Sequence, residues 1–202
     1  MGALRRLPMS YFPTFAYCSP AQRWAVRHAA GVDPLTCPPN TLATFDPDLL
    51  RNRKLLYFSL HGIPQQPYWY GADTVTAIST RAFHGLDLSD TIVFVANCHL
   101  PETPFLEAIL ECKPLFLAGG RGVNFTRGHA LVGAHLLGYL FRLAVELSIP
   151  PAYALAMAKY TLTARTDVLQ KEANHLKNRS AKRRLSEDIA ANLDALEFTA
   201  FT

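Results

Sequence analysis

The chain has no Cys-x-x-Cys pair, no histidine at a zinc-ligand spacing, no internal repeat and no low-complexity linker. A zinc site is thereby excluded, and no metal or cofactor is expected. The four cysteines, at 18, 37, 98 and 112, fit a reduced, cytoplasmic protein. An uncharged apolar run of membrane-spanning length is also missing, because the longest candidate, residues 131–147, is interrupted by His135, Arg142 and Glu146. At helical spacing those three fall on one narrow stripe, which predicts a helix buried on most sides and wet along one line. No membrane partner is expected. Arg5-Arg6 and the residues up to Cys18 imitate a secretory signal, but Pro8, Ser10, Pro13 and Thr14 break the apolar stretch.

Charge of one sign is scarce as well: the net charge is +4, and Lys and Arg are scattered except in the run Lys177-Asn178-Arg179-Ser180-Ala181-Lys182-Arg183-Arg184. That run reads as a solvated helical face, and nucleic acid is not expected as a partner. What is there instead is apolar material. At 202 residues, 50% hydrophobic and 18% charged, the chain can bury one substantial core. A single domain over residues 1–202 is expected, with residues 167–202 as an amphipathic helical extension.

Residues 9–18 are aromatic and β-prone but contain Pro13, which predicts a short or edge strand. Ser19-Pro20 opens a helix with residues 21–30 as its body and Gly31 at its end. The prolines within residues 33–48 predict an irregular surface connection. Residues 54–60 form a second strand. The following residues, 62–71, hold Pro64, Pro67, Tyr68, Trp69 and Tyr70, a loop that either lines a substrate groove or covers the sheet edge. Further along, residues 78–84 predict a short helix capped by Gly85, residues 91–97 a strand and residues 105–112 a helix. Residues 114–118 predict a strand ending in Gly119-Gly120-Arg121-Gly122. Strands alternating with helices make a mostly parallel sheet. The remainder is helical, over residues 130–147, 153–165 and 167–198, the last with an apolar face of Leu185, Ile189, Leu193 and Leu196.

Two of these strands end in a reactive side chain. His61-Gly62 follows Leu55-Leu56-Tyr57-Phe58-Ser59-Leu60, and Cys98 follows Thr91-Ile92-Val93-Phe94-Val95-Ala96-Asn97. Both would reach the carboxyl edge of the sheet, where open α/β sheets do chemistry. A thiol attacks as its thiolate and needs a nearby base; an imidazole takes that proton and later returns it to a leaving amine. Gly62, having no side chain, lets a backbone amide approach a reacting carbonyl, and with the Cys98 amide it makes a candidate oxyanion hole. The same residues also read as a buried strand-end thiol and a turn histidine. Of the other histidines, His84 reads as a cap, His99 as a bystander or gate, and His135 as a hydrogen-bonded structural residue.

The order Leu60-His61-Gly62, then Phe83-His84-Gly85-Leu86-Asp87-Leu88 leading into Ile92-Val93-Phe94-Val95-Ala96-Asn97-Cys98, resembles the CHAT domain family, caspase-like proteins related to separases and gingipains. Ser10-Tyr11-Phe12-Pro13-Thr14-Phe15, Ala118-Gly119-Gly120 and Pro150-Pro151-Ala152-Tyr153-Ala154-Leu155-Ala156-Met157-Ala158 resemble further segments of that family, over roughly residues 9–166. The resemblance implies a caspase-like three-layer α/β sandwich with a mostly parallel sheet and a helical C-terminus. It implies a cysteine endopeptidase with Cys98 as nucleophile, His61 as base and acid, a protein or peptide substrate, and a helical-repeat protein as regulator. Leu60 stands where those relatives carry a small residue and His99 where they carry an acidic one. The segment before Leu55 is short, leaving one strand and helix of the expected sheet unaccounted for. Substrate charge preference is left open among Asp73, Asp90 and Glu102 on the acidic side and Arg121 and Arg127 on the basic side. Two alternatives stand beside this reading: a catalytically silent caspase-like interaction module, and a small-molecule cysteine hydrolase on a flavodoxin-like sheet.

Overall fold

A computed structural model describes residues 12–125 and 127–201; the segment carrying Arg5, Arg6, Ser10 and Tyr11 lies outside the described residues. In chain order the elements are β1 (Thr14–Cys18), α1 (Arg23–Ala30), β2 (Leu35–Thr36), β3 (Leu55–Ser59), β4 (His61–Gly62), β5 (Tyr68–Tyr70) and β6 (Thr76–Ser79). They continue with β7 (Ile92–Val95), α2 (Phe105–Glu111), β8 (Phe116–Gly119), α3 (Gly133–Glu146), α4 (Pro151–His175), α5 (Arg179–Ala195) and β9 (Thr199–Phe201). The main sheet has the order β2-β1-β3-β7-β8-β9, with β9 antiparallel and the rest parallel. β3 and β7 are central neighbours, Leu55 facing Ile92 and Phe58 facing Val95, so their carboxyl ends emerge side by side. Every residue of both is buried, as expected for apolar runs covered on two faces.

Alternation along these strands divides the core. Leu56, Phe58, Val93 and Val95 pack with Trp69, Phe83, Phe105 and Ile109 on one face. Leu55, Tyr57, Ile92 and Phe94 pack with Val26, Leu137, Phe141, Leu155, Leu162 and Phe198 on the other. The first face is covered by α2 and a small antiparallel sheet, β4-β5-β6; the second by α1, α3, α4 and α5. The architecture is therefore α/β, with a mostly parallel six-stranded sheet between two layers and a helical C-terminal part. Residues 167–202 contribute α5 and β9 to this same body, and Phe198 is buried against Phe94 at a centroid separation of 5.3 Å.

Several local expectations are corrected. β1 is a short strand of five residues, as one of the two alternatives had it, but not an edge strand, because β2 pairs with its outer side at Tyr17 and Cys18. β2 also places a two-residue parallel strand in the segment expected to be irregular. Residues 78–84 do not make a helix: Ala77, Ile78 and Ser79 are buried in β6, paired to β5, and only a 3-10 turn, Thr80–Phe83, follows. Pairing with the Tyr-Trp-Tyr strand there overrides the local helical pattern. The aromatic loop is a packed cover, since Trp69 is fully buried and stacks on Phe105 at 3.8 Å. α4 runs through to His175 because no proline or glycine interrupts residues 152–175. α5 begins only at Arg179, where the Asn178 side chain accepts from the amides of Ser180 and Ala181.

The predicted wet stripe on α3 is corrected too. His135 is completely buried, while Arg142 and Glu146 are partly buried and bonded to each other at 2.6 Å. Arg142 donates through Nε to the Ala29 carbonyl at 2.8 Å, at the end of α1. It thus satisfies one of the carbonyls a helix leaves unpaired in its last turn, with a cation at the negative end of the dipole.

Candidate active site

Both singled-out strand ends lie on the carboxyl edge of the main sheet. β3 leads through Leu60 into His61, the first residue of β4, and β7 leads through Ala96 and Asn97 to Cys98. The two exits touch. A methyl group on Gly62 would overlap the Cys98 carbonyl oxygen, and Asn97 Cβ lies 3.7 Å from the same position. Glycine is needed here for a close approach of two backbones. We predict that Gly62→Ala displaces β4 from the Cys98 peptide and destabilises the fold by about 1–3 kcal/mol, read from denaturant unfolding.

His61 is exposed, paired through its backbone with Tyr70, and its imidazole makes no hydrogen bond among the described residues. Cys98 is half-buried. Its sulfur accepts from the Asn124 amide at 3.3 Å and lies 4.0 Å from the Asn124 carbonyl oxygen. The structure thus brings the two residues onto adjoining exits, with the sulfur resting against Asn124 and not hydrogen-bonded to the imidazole. Immediately after Cys98 the chain turns sharply, with His99 at φ 56° and ψ 33°, a left-handed conformation that costs a non-glycine residue energy and often marks functional turns. The turn leaves the Cys98 N–H without a partner among the described residues. An unpaired amide beside a thiol is the donor an oxyanion requires.

Two asparagines that the sequence reading passed over hold this edge together. Asn97 is fully buried, and its Oδ1 accepts the Leu60 N–H at 2.7 Å, lashing the residue before His61 to the residue before Cys98. Asn124 donates through Nδ2 to the carbonyls of Asn97 at 2.7 Å and Ala96 at 3.4 Å. A further pair of bonds seats the glycine-rich loop, His99 N–H to the Gly122 carbonyl at 2.9 Å and Leu100 N–H to the Gly120 carbonyl at 3.3 Å. The available sequence signal was an amide residue directly at an apolar strand's end, and another closing a run of glycines.

Charged candidates for substrate recognition separate by position. Asp90 lies at the opposite edge, before β7, near Lys54 at 3.9 Å. A cavity of about 480 Å³ lined by Arg53, Lys54, Asp87 and Asp90 opens at that remote edge, away from Cys98. Asp73 sits in the β5-β6 connection. Arg127 is held by Glu187 and Asp188 of α5. Glu102 bonds His99 Nδ1 at 3.0 Å, and its carbonyl accepts the Gln65 N–H at 2.7 Å, which ties the loop after β4 to the turn after Cys98. Arg121 is exposed on the glycine-rich loop. His84 follows the 3-10 turn as its cap residue, and His135 is a buried, hydrogen-bonded residue of the core.

No family model matches this chain, and no curated protein matches its sequence. Among the described residues, no group of His, Cys, Asp and Glu is arranged to hold a metal, and no helix is long and apolar enough to cross a membrane.

Proposed function

We propose that the chain is a caspase-like cysteine endopeptidase that cleaves peptide bonds with Cys98 as nucleophile and His61 as base and acid. The observation that carries this reading is the contact of the two strand exits, Gly62 against the Cys98 carbonyl, on the carboxyl edge of adjacent parallel strands. His61 takes the proton from Cys98 Sγ as sulfur bonds to the scissile carbonyl carbon, and the Cys98 amide donates to the resulting oxyanion. The C–N bond then breaks, His61 gives its proton to the leaving amine, and water hydrolyses the thioester, regenerating the thiol. The imidazole has to turn toward the sulfur for the first step, a tightening common on substrate binding.

The test is labelling by an electrophilic peptide ketone, together with cleavage of denatured protein substrates, in wild type, Cys98→Ala and His61→Ala. Labelling at Cys98 and cleavage in wild type alone are expected; equal behaviour of all three proteins sinks the proposal.

A second reading, a silent interaction module, is favoured by one specific feature. Tyr153, Met157 and Tyr160 recur at helical spacing along α4 with 70%, 51% and 79% exposure, an aromatic face on the side away from the core. Absence of any Cys98-dependent chemistry, with binding lost on substituting those three residues, selects that reading.

A further inference from the structure

The carboxamide of Asn97 links the two strand exits that lead to His61 and Cys98. It is completely buried, its Oδ1 receives the Leu60 N–H at 2.7 Å, and its Nδ2 is buried with no partner among the described residues. The bond spans 37 positions of sequence, from β7's exit to β3's exit, and each of its ends is one residue from His61 or Cys98. The main chain of the same residue accepts Asn124 Nδ2 at 2.7 Å, and Asn124 in turn directs its own N–H at the sulfur. One residue therefore grips the strand that delivers the imidazole with its side chain, and the loop that touches the thiol with its carbonyl.

We infer that Asn97 is a positioning residue for this site: by holding the Leu60 amide it fixes the exit of β3 against the exit of β7, so that the imidazole of His61 reaches the thiol of Cys98. The inference rests on the endopeptidase reading. It gives Asn97 no contact with substrate. Loss of the tether displaces the imidazole by a fraction of a side chain's reach, and a 1 Å misplacement is enough to cost a reaction about 100-fold.

The experiment follows alkylation of Cys98 by iodoacetamide between pH 5 and pH 9, which needs no knowledge of the substrate. Wild type, His61→Ala, Asn97→Ala and Asn97→Asp are compared, with folding checked by circular dichroism and denaturant unfolding. Wild type is expected to react at pH 6 in a way that His61→Ala abolishes. Asn97→Ala is expected to fall by about 10- to 100-fold at pH 6, to the level of His61→Ala, while remaining folded. Asn97→Asp keeps an oxygen for the Leu60 N–H and is expected to restore the wild-type profile. A wild-type profile in folded Asn97→Ala overturns the inference while leaving the dyad standing. A wild type indifferent to His61→Ala overturns the dyad itself. If Asn97→Ala does not fold, Asn97→Ser, whose hydroxyl is too short to reach the Leu60 amide, is read the same way. Unfolding of both assigns Asn97 to the fold alone and ends the inference.

Discussion

Replacing Trp69 with alanine is expected to destabilise the protein by about 3–5 kcal/mol, measured by urea unfolding at neutral pH. The indole is fully buried between the main sheet and α2, stacked on Phe105 at 3.8 Å and 11°, with Phe58 at 5.1 Å and Phe83 at 6.4 Å. These four rings form the centre of the core on one face of the sheet. Removing one leaves a void that backbone strands on one side and a helix on the other cannot close, which is the case in which truncation costs most. Trp69→Phe is expected to behave differently. It keeps the stack and removes Nε1, a buried donor without a partner among the described residues, so the loss of contact is offset and the net cost stays below about 1.5 kcal/mol. The consequence extends to the site, because Trp69 pairs in register with Gly62, the residue packed on Cys98. A cavity under β5 therefore loosens the strand that carries His61, and Trp69→Ala is expected to lose any Cys98-dependent activity that Trp69→Phe retains.

The strand exits were legible because they depend on local pattern. Leu55–Ser59 and Ile92–Val95 are short apolar runs bounded by polar residues, and a parallel sheet buried on two faces leaves no alternation to confuse them. That His61 and Cys98 share an edge follows from that pattern alone. The gap between the sequence reading and the structure lies where long-range pairing decides. β6 carries a helical pattern, yet Ile78 is buried opposite Trp69. β9 is three residues long and is defined by its antiparallel pairing with β8, Ala200 facing Ala118 across the sheet. The tether from Asn97 to Leu60 is invisible to any local window, since its meaning lies entirely in a residue far back in the chain. What the structure adds to these local runs is the adjacency of their two exits, from neighbouring parallel strands.

Acid is expected to weaken the fold through His135 by about 3 kcal/mol between pH 6.5 and pH 4. The ring is completely buried, and burial lowers its pKa from the usual 6.5 to about 4. Tyr57 donates its hydroxyl to Nδ1 at 3.0 Å, and Nε2 donates to Gln22 Oε1 at 3.1 Å, with Ser59 Oγ at 3.5 Å. Those partners use both ring nitrogens of the neutral form, with the proton on Nε2. Burial likewise holds the Tyr57 hydroxyl protonated, raising its pKa well above the ordinary value, so the donor to Nδ1 persists across the range. Above pH 6.5 the histidine is neutral whether the chain is folded or not, and its contribution is complete. Below it the unfolded chain takes up a proton that the folded core refuses, so stability falls with decreasing pH until the folded ring titrates near 4. His135→Gln retains a donor and an acceptor but does not titrate. Denaturant unfolding at pH 7, 6, 5 and 4 is expected to show wild type losing stability relative to this variant at each step, and parallel curves would place His135 outside the acid response. Because Ser59 is the last residue of β3, two positions before His61 opens β4, this buried network also sets the seat of β3, and its loss in acid is expected to release the exit that carries the imidazole.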